Sequence, residues 1–531
     1  MHKKEEVFYI LILLGLCFTL FFFRLGNRPL WDTDEGMHAS TSRDMVLSGD
    51  WITPTYNGEN FYDKPILHNW FVSLSFLVFG FNEFAARLPA AILGLGGVIL
   101  TYLLGRAVFG PWVGFLSGAI LAANVEYTLL SKSVIHDISL AFFMTLALFL
   151  FYMGWRSERH RRGYLLSFYA ALGFAVLAKG PVGVVLPGFI IGLFLLLRKR
   201  LAFLREMEIG WGILIFLGVA APWYVLISLR NRDYGGYFFI YNNLMRFLSP
   251  KAQHHQPIYY YFLALFGGFF PWSSFLPLSL VQAFRVGIRK LKDGPLFLLL
   301  WFLVIFVFFS VASSKLSTYI LPLFPAASLL VGSLWAGLMT TSTREPRKGF
   351  LSCFIPMMAI LPVTLLYLWI GPPTYYTTKY GIDFLRYAYL VFWVAAGGGL
   401  SFYLAWKNHL KASLLALGGT IVLLMVFIEL TIIPSIDPYF STRDLALRLD
   451  RMIPPGEKLV FINSGKEAAL FYTGRKARIL RTPRETIDFL SQDKRVFCIV
   501  NKGLYTDLDK VKKVSYIIDE QGGKLIISNR K

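Results

Sequence analysis

The chain has 531 residues, of which 56% are hydrophobic and only 16% are charged, and its formal net charge is +21. Soluble domains are about 45–50% apolar and about 25% charged, so this composition excludes an ordinary soluble protein and a disordered chain. Apolar runs such as Val7–Phe23 and Leu296–Phe309 belong to segments that approach the about 20 residues needed to cross a bilayer. The runs do not alternate with polar residues, which excludes a transmembrane barrel. The sequence predicts a polytopic α-helical membrane protein.

Hydropathy predicts about thirteen transmembrane helices. They are expected at residues 7–25, 87–109, 112–130, 137–155, 163–179, 181–198, 210–229, 258–282, 294–313, 317–340, 350–371, 385–406 and 411–433. The first span follows a charged N-terminus and resembles the apolar part of a signal peptide. It has no small-residue cleavage site, so we interpret it as an uncleaved helix.

Basic residues fall on alternate sides of these spans. One side carries the basic residues of the short connecting loops: Lys3 and Lys4, Arg106, Arg156–Arg162, Arg198–Arg205, Arg285–Lys292, Arg344–Lys348, and Lys407 with Lys411. Positive charge in short loops marks the cytoplasmic side. Much of the net charge therefore reflects topology, and nucleic-acid binding is not needed to explain it. The N-terminus is expected in the cytoplasm, and an odd number of spans places the C-terminus on the opposite face.

Three segments on that opposite, outer face are unusual. Residues 26–86 form a long acidic loop, and residues 230–257 form a second loop. Residues 434–531 have ordinary polarity, which divides the chain into a transmembrane part, 1–433, and a small outer α/β domain. The elements predicted for that domain are helices at Ser441–Met452, Lys466–Tyr472 and Thr482–Ser491, strands at Lys458–Asn463 and Arg495–Val500, and a hairpin within Val514–Ser528.

The first outer loop contains the most informative carboxylates. Asp34 and Glu35 end the run Trp31-Asp32-Thr33-Asp34-Glu35, in a loop that is also rich in Trp, Tyr and Pro. Paired acids beside a membrane are costly unless they are solvated or functional. Because aromatic residues beside carboxylates suit sugar binding, we expect Asp34 and Glu35 to be catalytic. Solvated positions are expected instead for Asp44, Asp50 and Glu59.

Further charges stand where spans leave the membrane on the outer face. Asp137 suits either a first-turn helix acid or an active-site acid, and one residue can serve both roles. Lys179 and Lys315 could snorkel to the interface or bind a substrate anion. Arg246 and the adjacent pair His254 and His255 come from the second outer loop. Neighbouring histidines indicate zinc only weakly, since their side chains seldom reach one ion.

The outer face therefore combines carboxylates, cations and aromatic residues at bilayer-surface depth. Cations suit a phosphate, and carboxylates suit a hydroxyl nucleophile or an amino group. An apolar groove would suit a lipid tail, so the pattern indicates group transfer from a lipid phosphate. A lipid or solute transporter is the alternative from a different class. It would be supported by broken spans with charge at the midplane and by paired halves, whereas the charges here cluster at one surface.

Several motifs, in the right order, resemble the aminoarabinose transferase (ArnT) family. They are Asp34-Glu35, Gly49-Asp50-Trp51-Ile52-Thr53-Pro54, Phe61-Tyr62-Asp63-Lys64-Pro65, Asn82-Glu83-Phe84-Ala85-Ala86-Arg87-Leu88, Lys179-Gly180-Pro181, His254-His255-Gln256-Pro257 with Pro271-Trp272, and Ser314-Lys315-Leu316 with Tyr319 and Leu321-Pro322. These proteins are membrane glycosyltransferases of the GT-C fold and are related to protein O-mannosyltransferases. The resemblance is strong over residues 1–340 and architectural beyond them.

The resemblance implies a polyprenyl-phosphate sugar donor, usually undecaprenyl phosphate, in the bacterial inner membrane. It implies an active site on the periplasmic face and a periplasmic C-terminal α/β domain. The acceptor would be lipid A, another envelope glycolipid or a protein, and single displacement with inversion is expected.

By the family pattern, Asp34 is the key carboxylate and Asp137 a second acid near the cavity, while Asp63 matches the usual Glu of a Glu-Lys pair. The donor phosphate would lie against Lys64, Arg246 and Lys315, with Lys179, His254, His255 and Tyr319 as further substrate contacts. A divalent metal could take part, for which Asp34, Asp137 and His255 are the candidate ligands.

Three positions depart from the family pattern. Met37 and His38 stand where the aminoarabinose enzymes typically carry an Arg-Tyr pair, and Phe61 replaces a common tyrosine. By the family pattern these positions face the donor. A hexose, a hexosamine or a uronic acid is therefore as compatible with the sequence as aminoarabinose.

Overall fold

The computed structural model describes residues 2–245, 254–290, 292–340, 346–359, 362–363, 389–463 and 465–531. Within these residues, eight helices are long and apolar enough to cross a membrane. They are Lys4–Phe22, Glu83–Phe109, His136–Arg156, Ile209–Arg230, Asp293–Val311, Ser317–Thr340, Tyr389–Trp406 and Leu410–Phe440. The chain is a multi-pass membrane protein, while the predicted number of thirteen spans is not confirmed.

Several predicted spans are shorter or broken. The span expected at 112–130 is two helices, Pro111–Ala122 and Val125–Leu130, and the Asn124 side chain caps the second by accepting from the Tyr127 N–H. The span expected at 258–282 is a pair of helices, Tyr260–Gly268 and Trp272–Arg289, bent by 116°. Hydropathy missed both breaks because glycine, proline and asparagine interrupt a helix without lowering the local apolar content. Most of the predicted span 350–371 lies outside the described residues.

The α-helices of the membrane part are numbered here in chain order. They are α1 His2–Cys17, α2 Asp34–Ser48, α3 Leu67–Phe79, α4 Glu83–Phe109, α5 Pro111–Ala122, α6 Val125–Leu130, α7 His136–Arg156, α8 Arg161–Lys179, α9 Val182–Leu197, α10 Ile209–Arg230, α11 Tyr260–Gly268, α12 Leu276–Phe284, α13 Asp293–Val311, α14 Phe324–Thr340, α15 Pro346–Ser352, α16 Tyr389–Trp406, α17 Leu410–Phe427 and α18 Ile433–Phe440. One apolar core runs through these helices and includes the buried rings of Trp301 and Trp335.

The first outer loop is an ordered structure. It contains α2, a short antiparallel hairpin of β1 Thr55–Tyr56 and β2 Glu59–Asn60, and α3. Helix α2 buries mainly small polar side chains, among them Ser40, Thr41 and Ser42. The Thr41 and Ser42 hydroxyls donate hydrogen bonds to backbone carbonyls one turn earlier in the helix. These two buried hydroxyls therefore need no hydrogen-bond partner outside α2. The helix therefore has no hydrophobic stripe by which hydropathy could have revealed it.

The C-terminal domain is a five-stranded mixed sheet covered by helices. Its elements are α19 Arg443–Met452, β3 Leu459–Ile462, α20 Glu467–Thr473, β4 Ala477–Leu480, α21 Pro483–Leu490, β5 Phe497–Asn501, α22 Lys502–Thr506, α23 Asp509–Lys512, β6 Tyr516–Gln521 and β7 Lys524–Ser528. The strand order is β4-β3-β5-β7-β6, with β4, β3 and β5 parallel and the last two pairings antiparallel.

Alternate residues of each buried strand pack on opposite faces of this sheet. Phe461 and Ile499 meet α19 and α20 on one face, whereas Ile462 and Val500 meet α21 and the chain after β5 on the other. The helices and strands predicted from the sequence are confirmed here, with ends that move by one or two residues.

The C-terminal domain docks on the first outer loop. Phe471 of α20 packs into an apolar cluster with Leu30, Ala39 and Phe76. Gly36 in α2 allows a close approach of the two backbones, because a Cβ there would lie only 2.5 Å from the Ala468 nitrogen of α20. The domain therefore lies directly against the first turns of the helix that begins at Asp34.

Candidate active site

Asp34 opens helix α2, immediately after Thr33, whose φ of 75° is unusual for a residue other than glycine. The side chain is accessible to solvent. Desolvation by the surrounding protein raises the pKa of Asp34, the Asp137 carboxylate raises it further, and the Lys64 ammonium opposes the rise. An accessible carboxylate with a raised pKa is suited to accept a proton from a hydroxyl group.

Glu35 points away from these groups into the protein. Its carboxylate accepts two bonds from the Arg87 guanidinium, each of 2.8 Å, and lies 3.7 Å from Arg28. Burial alone would raise the pKa of Glu35, but the two guanidinium groups outweigh it and lower the pKa to about 2. Glu35 was expected to be catalytic, but this geometry supports a structural role for it.

Asp63 and Lys64 form an ion pair on the loop that precedes α3. The Lys64 ammonium donates to an Asp63 carboxylate oxygen at 2.7 Å, and the Asn242 amide donates to the other oxygen at 3.3 Å. Both charged side chains remain partly accessible. The sequence-predicted pair is therefore assembled where a substrate can reach it, and Asn242 joins it from the second outer loop.

Asp137 and Lys179 form a second ion pair, between the start of α7 and the end of α8. The Lys179 ammonium also lies 4.1 Å from the centre of the Tyr319 ring, a cation–π contact. Asp137 is in the first turn of its helix, as expected, and its carboxylate interacts electrostatically with Asp34. Asp137 from this pair, and Asp63 and Lys64 from the other, are all close enough to the Asp34 carboxylate to shift its pKa.

A cavity of about 440 Å³ adjoins both ion pairs. Its polar end is formed by Asp63, Lys64, Lys179, Asn242 and Tyr319. The rest of its wall is largely apolar: Pro181, Val182, Val185, Phe238, Phe239, Phe308, Phe309 and Ala312. A larger cavity, of about 710 Å³, lies in the C-terminal domain, but its wall contains none of the predicted site residues. The smaller cavity joins charged groups to an apolar groove and is therefore the candidate substrate site.

Lys315 contacts the described end of the second outer loop, residues 254–256, which includes the two histidines. The buried Lys315 ammonium donates to the backbone carbonyls of Gln256 and Ala312, and its backbone N–H donates to the His254 carbonyl. His255 forms an isolated β-bridge with Ser314. Lys315 was expected to bind the donor phosphate, whereas these contacts favour a role in fixing the loop. His254 is close enough to Asp34 to lower its pKa.

Two predicted features are not assembled in the described residues. Arg246, expected to bind phosphate, lies outside them. Within the described ranges, no group of three or more His, Cys, Asp or Glu side chains is arranged to hold a metal ion. The candidate ligands Asp34, Asp137 and His255 are therefore not gathered into a metal site in this structure.

A cluster of three buried histidines close to Lys64 was not predicted from the sequence. The His136 ring centre lies 4.3 Å from that of His38 and 4.9 Å from that of His68, and the His68 Nδ1 pairs with the Ser139 hydroxyl. Burial is the main cause that lowers the pKa of His38, to about 3, so this ring is neutral. The three residues are far apart in sequence, and only the His38 departure from the family pattern pointed to this place.

Comparisons with known proteins identify the fold and the family. The family model described as dolichyl-phosphate-mannose-protein mannosyltransferase matches residues 63–226. The crystal structure of ArnT from Cupriavidus metallidurans bound to undecaprenyl phosphate superposes with a TM-score of 0.80 at 24% identity, covering 100% of this chain and 98% of that one. This likeness confirms the predicted GT-C fold.

Two relatives carry the name undecaprenyl phosphate-alpha-4-amino-4-deoxy-L-arabinose arabinosyl transferase. The protein from Aeromonas salmonicida (strain A449) is 36% identical over 331 residues, which cover 60% of this chain and only 59% of that relative. The protein from Pseudomonas aeruginosa (strain UCBPP-PA14) is 31% identical over 422 residues, 78% of this chain and 73% of the relative. Over that length and with these motifs in place, the chain belongs to the undecaprenyl phosphate-aminoarabinose arabinosyl transferase (ArnT) family.

Proposed function

We propose that this protein transfers a sugar from a polyprenyl phosphate, such as undecaprenyl phosphate, to an acceptor at the bacterial inner membrane. The acceptor is lipid A or another envelope glycolipid. The charge distribution of the loops supports an N-terminus in the cytoplasm and an active site and C-terminal domain in the periplasm. The names of the relatives support the same donor class.

The cavity lined by Lys64 and Lys179 carries this proposal, and the Asp34 carboxylate is close enough to Lys64 for the two charges to interact. Its polar end offers the ammonium groups of Lys64 and Lys179 to a phosphate, and its phenylalanine-rich wall offers an apolar surface to an isoprenoid chain. A water-soluble nucleotide-sugar has no apolar chain that could pack against this wall. The combination therefore favours a lipid-linked donor.

The reaction we infer is a single displacement with inversion at the anomeric carbon. The acceptor oxygen forms the new bond to that carbon while the bond to the phosphate oxygen breaks, and polyprenyl phosphate leaves. Lys64 and Lys179 would stabilise the negative charge that develops on the leaving phosphate. Asp34 would take the proton of a hydroxyl acceptor, or would orient an acceptor phosphate that is already ionised.

The test of this function is mass spectrometry of lipid A, other envelope glycolipids and surface glycoproteins from cells that express the wild type or Asp34→Asn. We expect a sugar on a glycolipid fraction only with the wild type, which would identify both the sugar and the acceptor. No difference in any fraction would contradict the proposal, provided that both proteins are in the membrane and the host supplies lipid-linked sugars.

Protein O-glycosylation is the second candidate, because the matching family model describes a protein mannosyltransferase. The same experiment separates the two. A sugar that appears on surface protein and not on lipid would favour the second candidate.

Lys64→Ala should weaken donor binding. Removing a charged hydrogen-bond donor to phosphate is expected to raise the apparent donor KM by roughly 10–100-fold. Titration of the purified enzyme with the lipid-linked donor measures this effect. Lys476→Ala is the control, since Lys476 is an exposed lysine near the same outer loop, beside Gly58. An unchanged donor KM in Lys64→Ala would contradict the phosphate role.

A further inference from the structure

The C-terminal domain reaches the site through Asp32, two residues before the proposed base. One Asp32 carboxylate oxygen accepts from the Ala468 N–H at 3.0 Å and from the Thr442 hydroxyl at 2.9 Å. The other oxygen lies 3.4 Å from the Lys524 ammonium. Every one of these partners belongs to the C-terminal domain, so three of its segments meet at a single side chain of the first outer loop.

This ion pair is shielded from water. The Asp32 side chain is 13% exposed and that of Lys524 is 9% exposed. Burial raises the pKa of Asp32 to about 6, against the opposing effects of Lys524 and the two hydrogen bonds, so the carboxylate is ionised at neutral pH. The Lys524 ammonium also donates to the backbone carbonyls of Tyr439 and Ser441. Charges that are shielded from water attract each other more strongly than exposed charges do, so this ion pair can tie Asp32 to the C-terminal domain.

Further hydrogen bonds hold Asp32 and the residue before it. The Asp32 N–H donates to the Phe440 carbonyl at 2.7 Å, and the Trp31 indole donates to Asp437 at 2.8 Å. Thr33 then adopts its positive φ, and α2 begins at Asp34. Thr33 therefore lies between the anchored Asp32 and the first residue of α2. A residue in such a rare backbone conformation keeps it only where the surrounding structure imposes it.

We propose that Lys524, through its buried ion pair with Asp32, is a positioning residue that sets the direction of the Asp34 carboxylate. This assigns the C-terminal domain a part in the reaction: it completes the active site from the side opposite the membrane. This positioning role depends on the proposed function in one respect, which is that Asp34 acts as the base.

The test uses the full-length enzyme with Lys524→Met, which removes the charge while keeping the length of the side chain. We expect kcat per folded molecule to fall roughly 10–100-fold, because a displacement of about 1 Å at a reacting group is enough for such a loss. The donor KM should stay within about twofold, since Lys64 and Lys179 are untouched. Hydrogen–deuterium exchange of residues 30–37 should become faster.

Three variants make the result specific. Lys524→Arg retains the charge and should behave nearly as the wild type, and Asp32→Asn, which can still accept from Ala468 and Thr442, should show a milder form of the defect. Lys502→Met is the matched control, because Lys502 pairs with Glu520 on the surface of the same domain, where both side chains are about half exposed. It should change neither kcat nor exchange of residues 30–37.

Unchanged kcat per folded molecule in Lys524→Met, or unchanged exchange of residues 30–37, would overturn the positioning role. A loss confined to the yield of folded protein would also overturn it, since a purely structural contact predicts that result. Failure of the proposed function looks different. In that case the wild type itself transfers no sugar, whereas the exchange measurement still reports whether the ion pair fixes this segment.

Discussion

Asp34→Asn should lower kcat by roughly 10²–10⁴-fold, the usual contribution of a general base, while the protein remains folded in the membrane. The amide has nearly the shape of the carboxylate but cannot take a proton. Donor affinity should be retained, because Lys64 and Lys179, the cavity-lining cations proposed to bind the phosphate, are unchanged. The measurement is sugar transfer by purified enzyme with a saturating lipid-linked donor.

Asp44→Asn is the control for this experiment. Asp44 lies in the same helix, α2, and interacts electrostatically with Arg43 and Lys476, away from the cavity. Normal turnover in Asp34→Asn would show that another group carries the chemistry.

The pH profile adds a second check on Asp34. The pKa of Asp34 is raised, mainly by desolvation, so the wild-type rate should fall with decreasing pH at a higher pH than an ordinary aspartate would give.

Arg87→Met should destabilise the protein strongly. The Arg87 side chain is 0% exposed, and besides its two bonds to Glu35 it donates to the backbone carbonyls of Leu25, Arg28 and Pro29. Its loss leaves the Glu35 carboxylate buried with only the more distant Arg28 as a counter-charge. Breaking a buried pair from one side typically lowers the free energy of unfolding by about 3–5 kcal/mol.

Thermal inactivation of the detergent-solubilised protein measures this loss. Arg106→Met in the same helix, α4, is the control, because its pairing with Glu6 is partly exposed and should contribute about 0–1 kcal/mol. The double variant Arg87→Met with Glu35→Gln removes both charges and should recover part of the stability. If Arg87→Met proves as stable as Arg106→Met, the structural role of this pair is wrong.

Much of the fold could be predicted because it depends on local pattern. Long apolar helices such as α4 and α13 follow from hydropathy, and the continuous apolar runs of β3 and β5 are typical of strands buried on both faces of a sheet. Helix α2 could not be found in this way, since small polar residues form its buried side. The break at Asn124 and the bend after Gly268 were missed for a similar reason, because each interrupts a segment that is apolar throughout.

The types of residue in the candidate site could be predicted from the sequence, but the directions in which their side chains point could not. Asp34 and Glu35 are adjacent acids with the same sequence context. Their different environments become visible only in the structure, where Arg87 pairs with Glu35 and not with Asp34. The Asp63–Lys64 pair came from a motif, and the structure assembles it as an ion pair. The pairing of Lys179 with Asp137 joins two helices, and that of Lys524 with Asp32 joins opposite ends of the chain. No local pattern reports contacts between such distant residues.

The contact between Lys524 and Asp32 also sets an order of events during biosynthesis. About 490 residues separate the two, so at roughly 5–20 residues per second the ribosome needs roughly 25–100 s to reach Lys524 after it has made Asp32. The membrane helices can insert during that interval, while Asp32 still lacks its contact with Lys524. If Lys524 positions Asp34 as proposed, a nascent chain in the bilayer would hold the apolar groove, but the Asp34 carboxylate would acquire its final direction only after the last strand of the C-terminal domain had been translated.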